Sequence, residues 1–313
     1  MSLHFISPGL QTSIQDGGRP GMLRWGVPPG GAADPFAMAL ANLLLGNVPT
    51  QPCLEVTLSG PVIEFSASLC IAICGAHFEL ELNGTKVEND RVIAIAPGDQ
   101  LSFGKRLNGC RAYLALSAEF ELPEVFHSQA THLQSAFGGL DGRAVGAGNT
   151  LHLRDCRRVP ERALPDRYRL RYSGRPLLRV LAGAESHLFP QAALDAFNDG
   201  HYAVSPQSNR MGIRLEGTPL ETSDLPQMIS SGLCPGTVQV PPGGQPIISF
   251  VEGQTIGGYP RIAHVISADL HLLGQLQARD RIDFETVSLT QAHRILRDKA
   301  HLLSALPDEL TRT

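Results

Sequence analysis

Basic residues are scarce in this chain and nowhere concentrated. Lysine occurs only at Lys86, Lys105 and Lys299, and the formal net charge is -4. A nucleic-acid partner needs cations massed on one face to neutralise phosphates, so that class of partner is excluded. Long apolar runs are also missing. The longest, Leu69 to Ala76, falls far short of the ~20 residues that span a bilayer, so no membrane segment is expected. The amino terminus MSLHFISPGLQTSIQDGG lacks a positive n-region followed by an apolar h-region and does not read as a signal peptide. Cysteines are few and unpaired. Cys53, Cys70, Cys74, Cys110, Cys156 and Cys234 form no CxxC, which excludes a zinc ribbon or disulfide framework and fits reduced core thiols in a cytoplasmic protein. Alternation along a strand places Cys70 and Cys74 on one face. GxxxxGK[ST], HExxH and GxSxG do not occur, so the chain holds no P-loop, zincin motif or nucleophile elbow. The histidines are scattered and read as core or partly exposed groups, and no metal site is identifiable.

What remains is a glycine- and proline-punctuated chain of short β segments. Its 313 residues suggest two domains, and 42% hydrophobic against 18% charged residues suits globular cores. The runs Cys53–Ser59, Val62–Phe65, Leu69–Cys74, Phe78–Leu82, Arg91–Ile95, Gln100–Phe103 and Ala112–Leu116 have strand character. Asn83-Gly84 predicts a tight hairpin between two of them. Helices are few. Asp34 caps one with Pro35 at its first position and Gly46 as terminator; others are expected over Ala268–Leu276 and Leu289–Leu303. The arginine- and proline-rich stretch from Cys156 to Arg175 reads as a solvated linker or edge strand, or alternatively as a substrate-binding arginine patch. The fold class is therefore mainly β: an amino-terminal barrel lobe over 1–155, a linker over 156–176, and a carboxy-terminal lobe over 177–313 ending in a helix. A loop-strand echo among 96–103, 145–153 and 277–284 fits two similar barrels.

Four stretches carry more polar and glycine residues than a barrel needs. In the first, Gln15, Asp16 and Arg19 sit in a glycine-rich turn; Asp16 and Arg19 either pair to hold it or leave Arg19 and the turn amides as an anion cradle. The second, Gly26 to Asp34, leads into a helix amino terminus that Asp34 itself can fill as cap. The third holds Ser208, Asn209 and Arg210, a hydroxyl, an amide and a guanidinium suited to a carboxylate or phosphate. The fourth runs from Gln239 through a buried strand to Glu252, Gln254, Thr255, Gly257, Gly258 and Tyr259. There Gly257-Gly258 permits close backbone approach, while Gln254, Thr255 and Tyr259 offer neutral donors and acceptors for an amide or ureido group. Glu252 and Asp269 are the carboxylates nearest this stretch. Either can act as general base, or pair with Arg210 or Arg261. No self-contained acid, base and nucleophile set appears, so a catalytic role requires a complex.

QTSIQDGGRPG, the GVPPGGAAD–ANLLLGN–LEVTLSGP succession, SNRMGIRLEG, and GTVQVPPGGQPI followed by GQTIGGYPRIAHVISADL resemble the allophanate-hydrolase-subunit-2-like family. The family includes the C-type subunit of 5-oxoprolinase, half of the carboxyltransferase domain of urea carboxylase, and the Kip A regulatory protein. The resemblance implies two cyclophilin-like β-barrel lobes, an obligate smaller partner of B type, and a third chain of A type. It implies an ATP-dependent opening of the 5-oxo-L-proline lactam to L-glutamate, with ATP held by one chain or jointly with a partner. Its other branches imply a carboxyltransferase acting on urea or a related amide, or a non-catalytic regulatory module. No covalent biotin is expected, because the Met-Lys-Met signature of a carrier is missing. The chain departs from its relatives at Glu252, where Asp is usual, at Ile256, where Thr is frequent, and at Ala130-Thr131-His132-Leu133, where many read Ser-Thr-Asp-Leu.

Overall fold

The structure, a computed structural model, describes residues 1–222, 226 and 228–311. It divides into two compact units. The first takes Met1–Arg19, Gly30–Tyr172 and the chain from Leu302 onward; the second takes Pro20–Pro29 and Ser173–His301.

In the first unit ten strands form one antiparallel sheet: β1 (Ser2–Ser7), β2 (Gln11–Gln15), β3 (Cys53–Thr57), β4 (Val62–Phe65), β5 (Leu69–Leu82), β6 (Thr85–Val87), β7 (Val92–Ile95), β8 (Gln100–Leu116), β9 (Glu119–Phe120) and β10 (Thr150–Arg154). The order is β2-β3-β8-β4-β1-β10-β9, with β5 joined to β8 and carrying β6 and β7. Strand alternation explains why β5 is apolar on both sides. Leu69, Ile71 and Ile73 enter the main core beside Leu3, Phe5 and Ile14, while Cys70, Ala72 and Cys74 form a small-residue floor beneath helix α1 (Pro35–Leu44). That helix is buried almost all round, as its apolar composition requires. Asp34 accepts a hydrogen bond from the Ala37 amide at 2.9 Å, with Pro35 in the first turn. Asn83 and Gly84, both at positive φ, close the β5–β6 hairpin.

The runs expected over 69–74 and 78–82 form one strand, as do those over 100–103 and 112–116, and each strand contains a glycine. Gly75 (φ +99°) sits in β5 and Gly109 (φ +70°) in β8, where register shifts mark bulges between the two long strands. The expected linker is also different, because Cys156–Tyr172 packs into the first unit. Val92 N–H donates to the Arg162 carbonyl, Leu164 N–H donates to the Asp90 carbonyl, and Leu164 and Tyr168 are buried. Arginines dominate that stretch, yet Val159, Leu164, Tyr168 and Leu170, which pack on the first unit's core, decide its placement.

The second unit holds the closed barrel. Its strands are β11 (Leu177–Ala182), β12 (Tyr202–Val204), β13 (Gly212–Glu216), β14 (Ser231–Gly232), β15 (Thr237–Gln239), β16 (Ile247–Ser249), β17 (Ile256–Gly257), β18 (Arg261–Val265) and β19 (Arg281–Thr286). The ring runs β11-β18-β15-β16-β13-β12-β19 and closes by parallel pairing of β19 with β11, from Leu177 opposite Asp283 to Val180 opposite Thr286. Leu178, Val180, Val238, Ile248, Val265 and Ile282 are buried. Beside the ring, β14 and β17 form a separate two-stranded ladder. Helix α2 (Gln191–Asp199), absent from the sequence expectations, buries Ala193 and Phe197, and Phe197 stacks on Phe284. Helix α3 (Leu270–Leu273) is shorter than expected. Helix α4 (Leu289–Leu310) is longer and runs through Pro307, with Leu306 and Leu310 buried in the first unit's core. The expected carboxy-terminal lobe thus gives up its last residues, of which 312 and 313 lie outside the described residues. Among the described residues, no helix is long and apolar enough to cross a membrane.

Candidate functional site

In the first unit, Gln15 ends β2 fully buried. Its amide donates to Ser13 Oγ and to the Thr131 carbonyl, while its Oε1 meets no donor. Thr131 Oγ1, equally buried, has no partner either. Asp16 is held by the turn and the following loop. Its carboxylate accepts from the Gly18 amide, Ser128 Oγ and the Gln129 amide, each at 2.7 Å, which fastens the turn to residues 128–129. Arg19 is 1% exposed; its Nε donates to the Val125 carbonyl and its Nη2 to the Ala130 carbonyl, with the guanidinium 4.7 Å above the Phe137 ring. The expected anion cradle is therefore a buried loop clamp. An open cleft of about 300 Å³ adjoins it, with Asp16, Glu119, Glu124, His127, Gln129 and Arg154 in its wall. Glu119 holds Arg154 at 2.7 Å, so the wall has more carboxylate than cation.

A buried chain of polar groups in this unit has no counterpart in the sequence reading. Tyr113 donates to Glu55 and accepts from the Asp34 amide, Glu55 also accepts from the Ala33 amide, and Tyr172 donates to the other Asp34 oxygen. Burial first, then the Glu55 charge, pushes the Tyr113 hydroxyl far above its ordinary pKa; for Tyr172 the causes are burial and Asp34. Glu55, a charged residue between Leu54 and Val56 in the Cys53–Thr57 strand, was the available signal. Since Asp34 is both the cap of α1 and a link in this chain, the amino end of the helix is filled from within.

The second unit contains the remaining candidates. Ser208 and Asn209 close the turn before β13: Ser208 Oγ accepts from the Arg214 amide, and Asn209 Oδ1 accepts from the Met211 amide at 2.8 Å. Arg210, 5% exposed, donates through Nε to Glu252 at 2.5 Å, and the Glu252 amide donates back to the Arg210 carbonyl. Asp269, fully buried, takes both forks of the Arg179 guanidinium. Each carboxylate considered as a general base is thus neutralised by an arginine. A further pair, Glu185 with Arg261, holds the start of β18; its hydrogen bonds to Arg261 keep the Glu185 carboxyl below the usual range. The cited pairs leave neutral groups at the fourth stretch. Gln239, Gln254 and Gly257 converge there, with Thr255, Gly258 and Tyr259 alongside at the β14–β17 ladder. The β15–β18 ladder shifts register between Val238 and Gln239, which places a bulge at this point. Among the described residues, no group of three or more His, Cys, Asp and Glu is placed to hold a metal ion.

His264, further along β18, meets Thr237 Oγ1 at 3.3 Å, and burial pulls its pKa below the ordinary 6.5. Both His264 and Glu185 bind protons less readily in the folded than in the unfolded chain, so the stability they confer is complete above the unfolded values and lost on acidification. Stability is expected to fall first as pH drops below 6.5, and again below 4.5 as Glu185 protonates. Urea midpoints between pH 7.5 and 4 check this, and His264→Gln should remove the first stage alone.

The carboxyltransferase domain family, subdomains A and B, matches residues 25–286. The chain is 37% identical to the C-type subunit of 5-oxoprolinase from Escherichia coli over 97% of both chains. It is 30% identical to urea amidolyase of Lachancea kluyveri over 98% of this chain but 18% of that protein. The crystal structure of Kluyveromyces lactis urea carboxylase superposes with a TM-score of 0.92 at 29% identity, covering 97% of this chain and 29% of the longer one.

Proposed function

This chain belongs to the carboxyltransferase family of subdomains A and B, and from that premise we propose that it serves as the C-type subunit of an ATP-dependent 5-oxoprolinase. The observation that carries the reading is the match over nearly the whole length of both chains to the E. coli subunit of that type. In this role the chain presents an uncharged recognition face to a cyclic amide and works with A- and B-type partners that complete the enzyme.

ATP activation would convert the lactam oxygen into a better leaving group. The groups that the sequence offers for phosphate do not fit that task. Arg19 is spent on two backbone carbonyls, Arg210 on Glu252, and the cleft beside Asp16 is carboxylate-rich. Phosphate-binding cations therefore come from a partner chain, while Gln239, Gln254, Thr255 and Tyr259 hold and orient the amide. Neutral hydrogen bonding suits this substrate, since a lactam carries no charge on its reacting group.

Co-expression with the two partner chains tests the reading through ATP-dependent glutamate formation from 5-oxo-L-proline. Turnover should need all three chains, and leaving this one out should reduce the rate by about a hundredfold or more. Absence of glutamate with all three present overturns the proposal. The urea carboxylase superposition favours one second reading, a carboxyltransferase component that receives its carboxyl group from carboxybiotin on another protein. Carboxylation of urea by this chain with a separate biotin carboxylase and carrier would select it.

A further inference from the structure

Buried polar atoms almost always have hydrogen-bond partners, so an exception asks what occupies its vacant lone pair. Gln239 is 4% exposed and its Oε1 has no donor. Just before β17 lies Gln254, whose exposed side-chain amide makes no hydrogen bond among the described residues. The two amides meet at one place. A Cβ on Gly257 would stand 2.8 Å from Gln239 Oε1, 3.1 Å from Gln254 Nε2 and 2.5 Å from Leu233 Cδ1. Glycine is what lets an acceptor and a donor lie side by side against this backbone. Nearby charges do not disturb the pair, since Arg210 and Arg261 are tied to Glu252 and Glu185.

We propose that Gln239 Oε1 and Gln254 Nε2 form an acceptor–donor edge that reads a cis amide. In a cis amide the N–H and C=O project from the same side, so one ligand edge can donate to Gln239 and accept from Gln254. Lactams and cyclic ureas have this shape. A trans amide projects the two groups in opposite directions and can satisfy only one. A lactone or N-alkylated lactam has no N–H, which leaves the buried Gln239 oxygen unpaired and is penalised for that reason. Gln239 thus acts as a specificity-determining residue and Gln254 as its orienting partner. The inference deepens the amide-acting reading above and rests on it for the substrate class alone.

The test uses ligand-observed NMR on the full chain in complex with its partner chains. The probes are 2-pyrrolidinone and 2-imidazolidinone, against N-methyl-2-pyrrolidinone, γ-butyrolactone and the trans amide N-methylacetamide. The first two should bind at least about tenfold more tightly than the other three. Gln239→Met keeps the side chain's length and removes the acceptor, so it should erase that preference while leaving the thermal midpoint equal or higher. Gln254→Ala, at an exposed position, should weaken cyclic-amide binding without affecting folding. Equal binding of the N-methylated lactam, an unchanged preference in both variants, or no binding of any probe overturns the proposal. Failure of the function reading looks different: the preference is intact but no glutamate is formed. Glutamate formation with wild-type kcat/KM in Gln239→Met sinks the edge and leaves the enzyme standing.

Discussion

Arg210→Ala is expected to lower folding stability by about 3–5 kcal/mol, the range seen when one member of a buried ion pair is removed. Arg210 and Glu252 are 5% and 3% exposed. Besides the 2.5 Å side-chain contact, the Glu252 amide donates to the Arg210 carbonyl at 2.8 Å, so one pair of residues closes the β12–β13 and β16–β17 connections twice. Alanine at 210 strands a carboxylate where water cannot reach it. Replacing both residues by methionine should recover most of the loss, because the desolvation of two charges disappears with their attraction. Urea denaturation of the wild type, Arg210→Ala and the double variant measures this. A loss below about 1 kcal/mol would mean that the pair behaves like an exposed one. The same substitution should lower kcat/KM well below the melting temperature, since Gln254 lies two residues beyond Glu252 on the tethered segment.

Gly138→Ala should cost about 3 kcal/mol or more, for a steric reason. Gly138 has φ +70°, and a Cβ there would sit 2.2 Å from the Ala130 carbonyl oxygen and 2.6 Å from Arg19 Nη2. The oxygen belongs to the backbone and is already the acceptor for Arg19, so neither atom can yield without undoing the clamp. Gly84→Ala supplies the comparison. Its φ is +76° with nothing within 4 Å of a Cβ, so only the left-handed conformation is penalised, at about 1 kcal/mol. Thermal melts of the two variants separate strain from collision, and similar losses would show that the loop at 130–139 moves freely aside.

Local chemistry made some elements legible from sequence. The Asp34-Pro35 start of α1 and the Asn83-Gly84 hairpin fall where the rules for caps and two-residue turns place them, since each depends on neighbours along the chain. The expected runs 69–74 and 78–82, and 100–103 and 112–116, each fuse into one long strand, because glycine marks both a strand's end and a bulge within it and only the partner strand decides between them. The linker misled because arginine count outweighed Leu164 and Tyr168, two apolar anchors that a neighbouring core accepts. At the candidate site, Gln239, Gln254 and Gly257, spread along the fourth stretch, come together around one point. The Arg210–Glu252 pair is one of the pairings the sequence allowed, whereas the partners of Asp269 and Arg19 did not follow from spacing. Arg179 and Asp269 lie 90 residues apart, and nothing local announces such a pairing.

The parallel seam between β11 and β19 also sets a schedule for the ribosome. Leu177 is translated about a hundred residues before its partner Asp283, so the ring stays open for the whole synthesis of the second unit. Until the last strand emerges, the nascent polypeptide carries two unpaired sheet edges, the usual template for mispairing with other chains. Closure must then overcome the entropy of a long loop, which favours slow folding. A chain truncated before residue 281 is therefore expected to be protease-sensitive, and one that includes β19 to be resistant.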